Sequence, residues 1–235
     1  MRRRPVVAID GPAGAGKSTV TKRVADELGY LLVDTGALYR AVALAALRAG
    51  VSWDDGPGLG KLAAELVKEH AVLLGNQKSG GYAVKLRGED VSLAIREPNV
   101  SQGASKVSAV PLVREALLDM QRQAGAAGAA VLEGRDIGTV VFPDAEAKFF
   151  LTANVSIRAR RRFDELRARG ALPDLAEVER EVAERDLRDS TRPIAPLKQA
   201  SDACVIDSSA MSIEQVVARI VRGVREVEAA LGARE

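Results

Sequence analysis

A glycine-rich segment near the N-terminus carries the residue types that bind phosphate. Gly11, Gly16, Lys17 and Ser18 fill the pattern G-x-x-x-x-G-K-[ST], between a short apolar run and a helical pattern. Glycines allow consecutive backbone N–H groups to turn toward one anion, and the start of the following helix adds partial positive charge. Lys17 can reach the β- and γ-phosphates of a nucleoside triphosphate, and the Ser18 hydroxyl can ligate Mg²⁺. The predicted loop comprises Gly11, Pro12, Ala13, Gly14, Ala15, Gly16, Lys17, Ser18 and Thr19.

The alternative interpretation of this segment is a helix cap with incidental glycines. The lysine and the hydroxyl both stand in register, which argues against that alternative. The loop alone does not specify a reaction, because phosphate loops occur in motors, GTPases and kinases. The group that receives the phosphate has to be sought elsewhere in the chain.

Arginines stand in three short segments that could bind a second anion. The segments are DTGALYR (34–40), EGRDIGT (133–139) and RDLRDSTR (185–192). The first two follow predicted strands, and ligands of open α/β sheets bind at the carboxyl ends of strands. Two unit charges 4 Å apart repel by roughly 4 kcal/mol at an effective dielectric of 20, so an anionic acceptor beside an anionic donor needs arginines and Mg²⁺. An acceptor phosphate is already ionised at neutral pH, so its transfer reaction needs no catalytic base. We therefore expect no catalytic role for the lone His70, which is predicted to lie in a strand.

Five short apolar runs separated by helical patterns indicate the elements that position these residues. A β-branched run such as residues 6–9 is typical of a central parallel strand that is buried on both faces. Alternating strands and helices predict a parallel α/β sheet with right-handed crossovers. The C-terminal helix starts at a capping box, Ser212-x-x-Gln215, and has an apolar face that suits packing on the sheet. The other predicted strands are residues 30–34, 129–134, 147–153 and 203–207.

About a hundred residues separate the second and third predicted strands, and this length predicts an inserted domain. Within it, two extended segments flank a turn at Lys78-Ser79-Gly80-Gly81, which is a hairpin signal. A second excursion, residues 158–192, holds ten arginines and nine acidic residues and predicts solvated, mobile helices over the sheet edge. The predicted division is a core of residues 1–40, 111–157 and 193–235, an insert of residues 41–110, and a lid of residues 158–192.

The composition limits the classes of protein to which the chain can belong. With 235 residues and 47% hydrophobic content, the chain can bury a full core. A net charge of +2 gives no electrostatic case for a nucleic-acid polymer, and no stretch approaches the roughly 20 apolar residues that span a bilayer. The single cysteine, Cys204, excludes an internal disulfide and is predicted to be buried in the last strand. We expect a cytoplasmic monomer that binds neither nucleic acid nor membrane.

Seven short motifs occur together, in one order, over nearly the whole chain. They are IDGPAGAGKST, DTGALYR, VREALL, EGRDIGTVVFPDA, ERDLRDSTR, APL and SDACVIDSS. Together they resemble the bacterial-type cytidylate kinases, a family of P-loop nucleoside monophosphate (NMP) kinases. The resemblance implies a three-layer α/β/α P-loop NTPase fold with a five-stranded parallel sheet. It also implies an inserted NMP-binding domain with a small antiparallel sheet, and a short lid.

The resemblance implies that ATP, with Mg²⁺ as cofactor, phosphorylates CMP and dCMP in pyrimidine nucleotide metabolism. The phosphate loop would then hold ATP. The residues that it implies for the CMP site are, for the acceptor phosphate, Arg40, Arg135 and Arg192; for the pentose, Arg185 and Asp189; for the base, Ser105, Arg114 and Asp136; and beside them Thr35 and Tyr39.

The chemistry of the base is consistent with cytosine. Cytosine offers an N4 amino donor beside the N3 and O2 acceptors, so Asp136 can accept from N4 while Arg114 donates to N3 or O2. Uracil would leave polar groups unpaired at about 1 to 3 kcal/mol each, and we expect UMP to be the poorer substrate. Other roles stay open: Asp34 and Asp136 could cap helices, Arg114 could be solvated, and Ser105 and Tyr39 could only pack.

The lid and the metal site are predicted from charge. Arg158 and Arg162 share a helical face where the lid begins, and we expect them to clamp the transferred phosphate; the sequence does not distinguish Arg162 from Arg161 in this role. Glu133 stands where many members of the family have aspartate, and with Ser18 it forms the predicted Mg²⁺ site, where it would act through water. The predicted catalytic residues are Lys17, Arg135, Arg158, Arg162 and Arg192.

Two other interpretations of the function stay open. One is another small-molecule P-loop kinase, such as a uridylate, guanylate or shikimate-type kinase, which a panel of acceptors would distinguish. The other is a nucleotide-dependent switch or ATPase module that moves a protein partner. That module would hydrolyse ATP without an acceptor, and it leaves the arginines at the strand ends without a role.

Overall fold

Strands and helices follow one another along the described part of the chain. The computed structural model describes residues 2–76 and 82–233, and the predicted turn Lys78-Ser79-Gly80-Gly81 lies outside them. The elements in chain order are β1 (Val6–Asp10), α1 (Lys17–Leu28), β2 (Leu31–Asp34), α2 (Thr35–Arg48), α3 (Gly56–Lys68), β3 (Val72–Asn76), β4 (Tyr82–Leu86), β5 (Glu89–Asp90), α4 (Pro98–Val107), α5 (Pro111–Gly125), β6 (Ala130–Gly134), β7 (Ala147–Thr152), α6 (Val155–Ala168), α7 (Leu175–Thr191), β8 (Cys204–Asp207) and α8 (Ile213–Gly232).

The main sheet consists of five parallel strands in the order β2-β6-β1-β7-β8. Successive side chains of its central strand, β1, pack alternately into two cores. Val7 and Ile9 pack in the core that includes α1 and α8, whereas Val6 and Ala8 pack in the core on the other face. All four side chains are fully buried, because both faces of the strand are covered. The predicted five-stranded parallel sheet is confirmed.

The strand register brings three carboxyl ends together. In β1, Asp10 lies opposite Gly134 of β6, and in β2, Asp34 lies opposite Glu133. The loops that follow β1, β2 and β6 therefore leave the sheet at one edge. This is the edge at which open α/β sheets bind their ligands.

The insert contains a small antiparallel sheet, β3-β4-β5, and this prediction is also confirmed. Helices α2 to α5 bury one common core, with side chains such as Leu38, Leu66, Val107 and Leu117 inaccessible to solvent. That core extends across both predicted boundaries of the insert, residues 40/41 and 110/111. Helix α2 crosses the first of them without interruption, from residue 35 to residue 48. The insert is thus joined to the main sheet by packed helices.

Trp53 holds α2 and α4 together. Its Nε1 donates to the backbone oxygen of Ala43 at 3.1 Å. A Cβ added to Gly103 of α4 would lie 2.4 Å from the indole ring, so the ring approaches α4 closely only because residue 103 is glycine. The contact fixes the helix that carries Ser105 against the helix that follows β2.

Helices α6 and α7 pack on each other through a small core of their own. Ala159, Val178 and Val182 are buried there, with Phe163 and Leu166 packed against them. A side-chain contact connects α7 with the insert: Gln102 Nε2 donates to Glu181 at 3.3 Å. The charged excursion predicted from the sequence is therefore helical, and it contacts the insert.

Two predictions about single residues are wrong. Cys204 is exposed rather than buried, because β8 is the edge strand and only Ile206 of its residues is buried. His70 lies in the turn between α3 and β3 rather than in a strand, and its N–H bonds to the Val67 carbonyl oxygen as the chain reverses. In the described residues, no helix is long and apolar enough to cross a membrane.

Candidate functional site

The loop predicted to bind phosphate joins β1 to α1 and is shaped by its glycines. Gly14 and Gly16 have φ angles of 75° and 87°, in the left-handed region that glycine adopts without strain. A Cβ at Gly11 would lie 2.0 Å from the Leu151 carbonyl oxygen, so the loop passes β7 too closely for a side chain. Gly16 has no side chain to cap α1, and the first N–H groups of the helix can therefore bind an anion.

Lys17, the first residue of α1, is buried at the centre of the charged residues. Its Nζ donates to the Pro12 carbonyl oxygen at 2.7 Å. Burial lowers the pKa of Lys17 well below its usual range, and the positive charges of Arg135 and Arg185 lower it further, whereas Glu133 opposes the shift. The lysine of the loop and two arginines from distant segments thus share one electrostatic environment.

Ser18 and Glu133 place two oxygen-bearing side chains together beside the loop. Ser18 Oγ donates to Glu133 Oε2 at 3.0 Å, and Thr35 Oγ1 donates to the backbone oxygen of Glu133 at 2.7 Å. Burial raises the pKa of Glu133, and the neighbouring Asp34 raises it further. A hydroxyl and a carboxylate are hard oxygen ligands of the kind that Mg²⁺ binds. Within residues 2–76 and 82–233, no group of three His, Cys, Asp or Glu side chains is placed to hold a metal, so a cation here would need other ligands as well.

Asp136 forms a buried bridge between two arginines. One carboxylate oxygen accepts a short hydrogen bond from Arg114, and the other accepts from Arg192 Nη2 at 3.3 Å. Burial raises the pKa of Asp136, although both arginines oppose the shift. Asp136 stands just before a π-helical turn, Ile137–Val141, but its carboxylate does not cap that turn. The alternative in which Asp136 serves as a helix cap is therefore wrong.

A second buried network connects the insert with α7. Asp189 Oδ2 accepts from Arg135 Nε at 2.8 Å, and Asp189 Oδ1 accepts from Ser105 Oγ at 3.5 Å. Arg188 Nη1 donates to the same Ser105 Oγ at 3.0 Å. Burial alone would raise the pKa of Asp189, but Arg135 and Arg185 lower it overall. Residues implied for the phosphate, the pentose and the base are thus brought into one network.

Arg185 is partly buried among other cationic side chains. Its Nε has no hydrogen-bond partner among the described residues. Burial lowers the pKa of Arg185 to about 10, and the positive charges of Arg135, Arg40 and Arg162 also lower it, whereas Asp189 raises it. A concentration of partly buried positive charge of this kind would attract a multiply charged anion.

Asp34 and Arg40 form an ion pair at the start of α2. Asp34 accepts from the Ala37 N–H at 3.0 Å, so it caps the helix, and it also accepts from Arg40 Nη2 at 2.6 Å. The capping role considered for Asp34 is confirmed. The cap holds the first turn of α2, and Tyr39 and Arg40 lie in the turn that follows it.

Tyr39 is packed rather than exposed. The Arg114 guanidinium lies 5.5 Å from the centre of the Tyr39 ring, and Gln121 Nε2 donates to the Tyr39 hydroxyl at 3.4 Å. Burial raises the pKa of Tyr39. The ring thereby supports Arg114, the arginine that contacts Asp136.

The three arginines at the start of the predicted lid have different contacts. Arg158 is buried and donates to the Ala13 carbonyl oxygen of the phosphate loop at 3.0 Å, as well as to Asp186 at 2.5 Å. Arg161 contacts the Ser208 hydroxyl and carbonyl oxygens, and Arg162 pairs with Glu165 in its own helix at 2.9 Å. Of the three, Arg158 is the one in contact with the phosphate loop.

Sequence reasoning missed several residues of these networks. Asp10 is a carboxylate at the end of an otherwise apolar strand, and this was a usable signal. Asp186 and Arg188 lie inside an arginine-rich segment in which only neighbouring positions were assigned. Gln121 had no sequence signal. The missed residues are Asp10, Gln121, Asp186 and Arg188.

Comparisons with known proteins agree on one family. A family model described as cytidylate kinase matches residues 7–226. The chain is 53% identical to a cytidylate kinase of Pelotomaculum thermopropionicum, over 92% of this chain and 94% of that protein. It is 52% identical to a cytidylate kinase of Geobacter sulfurreducens, over 97% and 96% of the two chains. A solved gluconokinase from Sinorhizobium meliloti 1021 has a TM-score of 0.50 at 14% identity, covering 100% of this chain and 99% of that one; this likeness concerns the fold alone.

Proposed function

The chain belongs to the cytidylate kinase family, and from that premise we propose that it transfers the γ-phosphate of ATP to CMP and dCMP. It is an ATP-dependent nucleoside monophosphate kinase with a P-loop fold. The observation that carries the proposal is the contact between the phosphate loop and the arginine-bearing segments: Ser18 donates to Glu133, two residues before Arg135, and Arg135 donates to Asp189 of α7. This arrangement places a donor loop beside the cations that an acceptor phosphate needs.

In the proposed reaction, an oxygen of the CMP phosphate attacks the γ-phosphorus of ATP. The bond from that phosphorus to the β–γ bridging oxygen breaks, and the products are ADP and CDP, or dCDP from dCMP. The protein forms no covalent intermediate. Lys17 compensates charge on the β- and γ-phosphates, and the N–H groups at the start of α1 hold the donor in place. Positioning and charge compensation supply the catalysis.

The acceptor would exchange existing ion pairs for its own contacts. Arg135 and Arg192 are now held by Asp189 and Asp136, and with Arg40 they would bind the acceptor phosphate. The carboxylates hold these guanidinium groups in place until the phosphate enters and takes over their hydrogen bonds. We assign the pentose contacts to Arg185 and Asp189, and the base contacts to Ser105, Arg114 and Asp136.

The metal site is proposed at Ser18 and Glu133. The contact between the Ser18 hydroxyl and the Glu133 carboxylate provides the oxygen chemistry that Mg²⁺ requires, so the residues fit the ion. When bound, Mg²⁺ would neutralise charge on the ATP phosphates. Thr35 holds the backbone of Glu133 through its carbonyl oxygen, and the carboxylate accepts from Ser18.

The proposal also covers the arrangement of the chain and its setting. We propose residues 1–40, 111–157 and 193–235 as the core, 41–110 as the NMP-binding insert and 158–192 as a lid that closes on substrate binding. Closure would bring Arg158 and Arg162 to the transferred phosphate and exclude water from it. We further propose a cytoplasmic monomer whose partners are small nucleotides, not nucleic acid or membranes.

An acceptor panel tests the proposed function. CMP, dCMP, UMP, AMP and GMP are compared by kcat/KM with ATP as the donor. We expect CMP and dCMP to exceed UMP by about tenfold or more, because uracil leaves buried polar groups unpaired. A preference for another acceptor, or hydrolysis of ATP that no acceptor stimulates, would overturn the proposal.

A further inference from the structure

Asp10 lies between the two halves of the site, and the proposed reaction does not use it. It is the last residue of β1, immediately before Gly11 of the phosphate loop, and it is buried. Asp10 Oδ1 accepts from the Ile137 N–H and Asp10 Oδ2 accepts from the Gly138 N–H, both at 2.8 Å. Both N–H groups belong to the turn that begins directly after Asp136. Each carboxylate oxygen of Asp10 is therefore engaged by that turn.

This arrangement differs from an ordinary helix cap. The residue before a helical turn commonly uses its own side-chain oxygen to accept from the first N–H groups. Asp136 occupies that position and is of the right residue type, but its carboxylate contacts Arg114 and Arg192 instead. Asp10 supplies the cap from a neighbouring strand. The Asp136 carboxylate is thereby released from the local contact that its position favours.

Loss of the Asp10 cap would create a competition for Asp136. The Ile137 and Gly138 N–H groups are buried, and a buried donor without an acceptor is costly. Asp136 is the nearest carboxylate along the chain, and rotation of its side chain could satisfy one of these donors. Such a rotation would take the carboxylate away from Arg114, which would then be left as a buried unpaired charge.

We propose that Asp10 is a positioning residue that caps the turn Ile137–Val141 in place of Asp136 and so keeps the Asp136 carboxylate beside Arg114, ready for the acceptor base. The role of Asp136 at the base rests on the proposed function. The same two hydrogen bonds attach the strand that leads into the phosphate loop to the segment that carries Arg135 and Asp136. Asp10 thus contributes to recognition of the acceptor base, although it belongs to the strand that leads into the phosphate loop.

The charge of Asp10 agrees with this role. Burial raises the pKa of Asp10 to about 6, and the negative charge of Asp136 also raises it, whereas the two backbone N–H groups and Lys17 lower it. At neutral pH the group is therefore a carboxylate, which can accept both hydrogen bonds at once. An amide of the same shape has only one accepting oxygen.

Asp10→Asn tests the proposal through the kinetics of the two substrates. We expect kcat/KM for CMP to fall about tenfold or more, and the KM for ATP to change less than about threefold. The matched control is Asp55→Asn, because Asp55 caps α3 by accepting from the Gly58 N–H at 3.0 Å and lies outside the proposed site. The control should leave both kinetic constants within about twofold of the parent protein.

A double-mutant cycle separates a role through Asp136 from a general structural role. In an Asp136→Asn background, the addition of Asp10→Asn should change kcat/KM for CMP by less than about threefold, because the group through which Asp10 acts is already altered. An undiminished loss in that background would overturn the proposal.

A crystal structure of Asp10→Asn gives a readout that does not depend on activity. We expect the Asp136 carboxylate to leave Arg114 and to accept from the Ile137 or Gly138 N–H. If Asp136 keeps its Arg114 contact, the proposal is wrong. If the parent protein does not phosphorylate CMP, the proposed function fails, yet this structural comparison still decides the role of Asp10. Asp10→Ser, which keeps one short oxygen acceptor, is the second variant for the same comparison if Asp10→Asn does not fold.

Discussion

The donor and acceptor halves of the proposed site are built in different ways. The donor half is one contiguous loop, in which positive φ angles at Gly14 and Gly16 shape the backbone and Lys17 bonds to a backbone oxygen. The acceptor half consists of side chains from separate helices and loops, held by the buried pairs Arg114–Asp136 and Arg135–Asp189. One half is specified by backbone conformation, and the other by tertiary packing of charges.

The difference has consequences for how substitutions act. A substitution in the donor loop alters a backbone conformation that only a few residue types can adopt. A substitution in the acceptor half removes one partner of an ion pair. Removal of one partner from a buried pair leaves an uncompensated charge and typically costs about 3–5 kcal/mol of stability. Donor variants should therefore affect catalysis and ATP, and acceptor variants should affect CMP and the stability of the fold.

The largest effect is expected for Lys17→Ala. In the proposed mechanism Lys17 compensates charge on the transferred phosphate, and its loss should lower kcat by about 10²- to 10³-fold with the fold retained. Steady-state kinetics and circular dichroism measure the two quantities. The control is Lys22→Ala, because Lys22 is an exposed lysine of the same helix that pairs with Asp26. Near-parental turnover in Lys17→Ala would contradict the proposed mechanism.

A smaller and more selective effect is expected for Asp136→Asn. The amide cannot serve both Arg114 and the cytosine amino group, as we propose that the carboxylate does. We therefore expect kcat/KM for CMP to fall about 10- to 100-fold while the KM for ATP changes little. Asp119→Asn is the control, since Asp119 is exposed on α5, the helix that carries Arg114. Equal losses in kcat/KM for CMP and for ATP would show that Asp136 has a structural role, and the two halves would then not differ in how substitutions act.

The smallest effect is expected for Gly14→Ala. Residue 14 has a φ angle of 75°, and a Cβ there would lie 3.0 Å from the Arg158 carbonyl oxygen, so the loop must shift. We expect the KM for ATP to rise about fivefold, with CMP affinity unchanged in a binding assay. The matched control is Gly50→Ala, which introduces backbone strain without a steric contact. Gly50 has a φ angle of 68°, and no atom lies within 4 Å of the added Cβ. If the two variants behave alike, backbone strain rather than loop shape explains the result.

The same contrast explains how much of the site could be predicted from the sequence. The donor loop could be identified from its own residues, because its nine positions are contiguous and its glycines and lysine act locally. The parallel sheet could be predicted because β-branched runs alternate with helical patterns. The acceptor residues needed the resemblance to a family, because their partners are far apart in sequence. Ser105 meets Asp189 only when α4 packs against α7, and Asp136 meets Arg192 only when the loop after β6 packs against the end of α7.

Other features depend on packing that no local pattern encodes. Asp136 has the residue type and the position of a helix cap, and only the hydrogen bonds from Ile137 and Gly138 to Asp10 explain why it does not act as one. Cys204 stands in an apolar strand, but its exposure follows from the position of β8 at the edge of the sheet. Sheet order and contacts between distant segments decide both cases.

Trp53 gives the protein an optical property. It is the only tryptophan in the chain, its Nε1 bonds to Ala43 of α2, and its ring lies against Gly103 of α4, two residues before Ser105. Indole emission depends on hydrogen bonding and on exposure to water, so a change in the distance between α2 and α4 changes the fluorescence of the whole protein. The fluorescence of this single tryptophan therefore reports, in solution and without any label, on the packing of α2 against α4, the helix that carries Ser105.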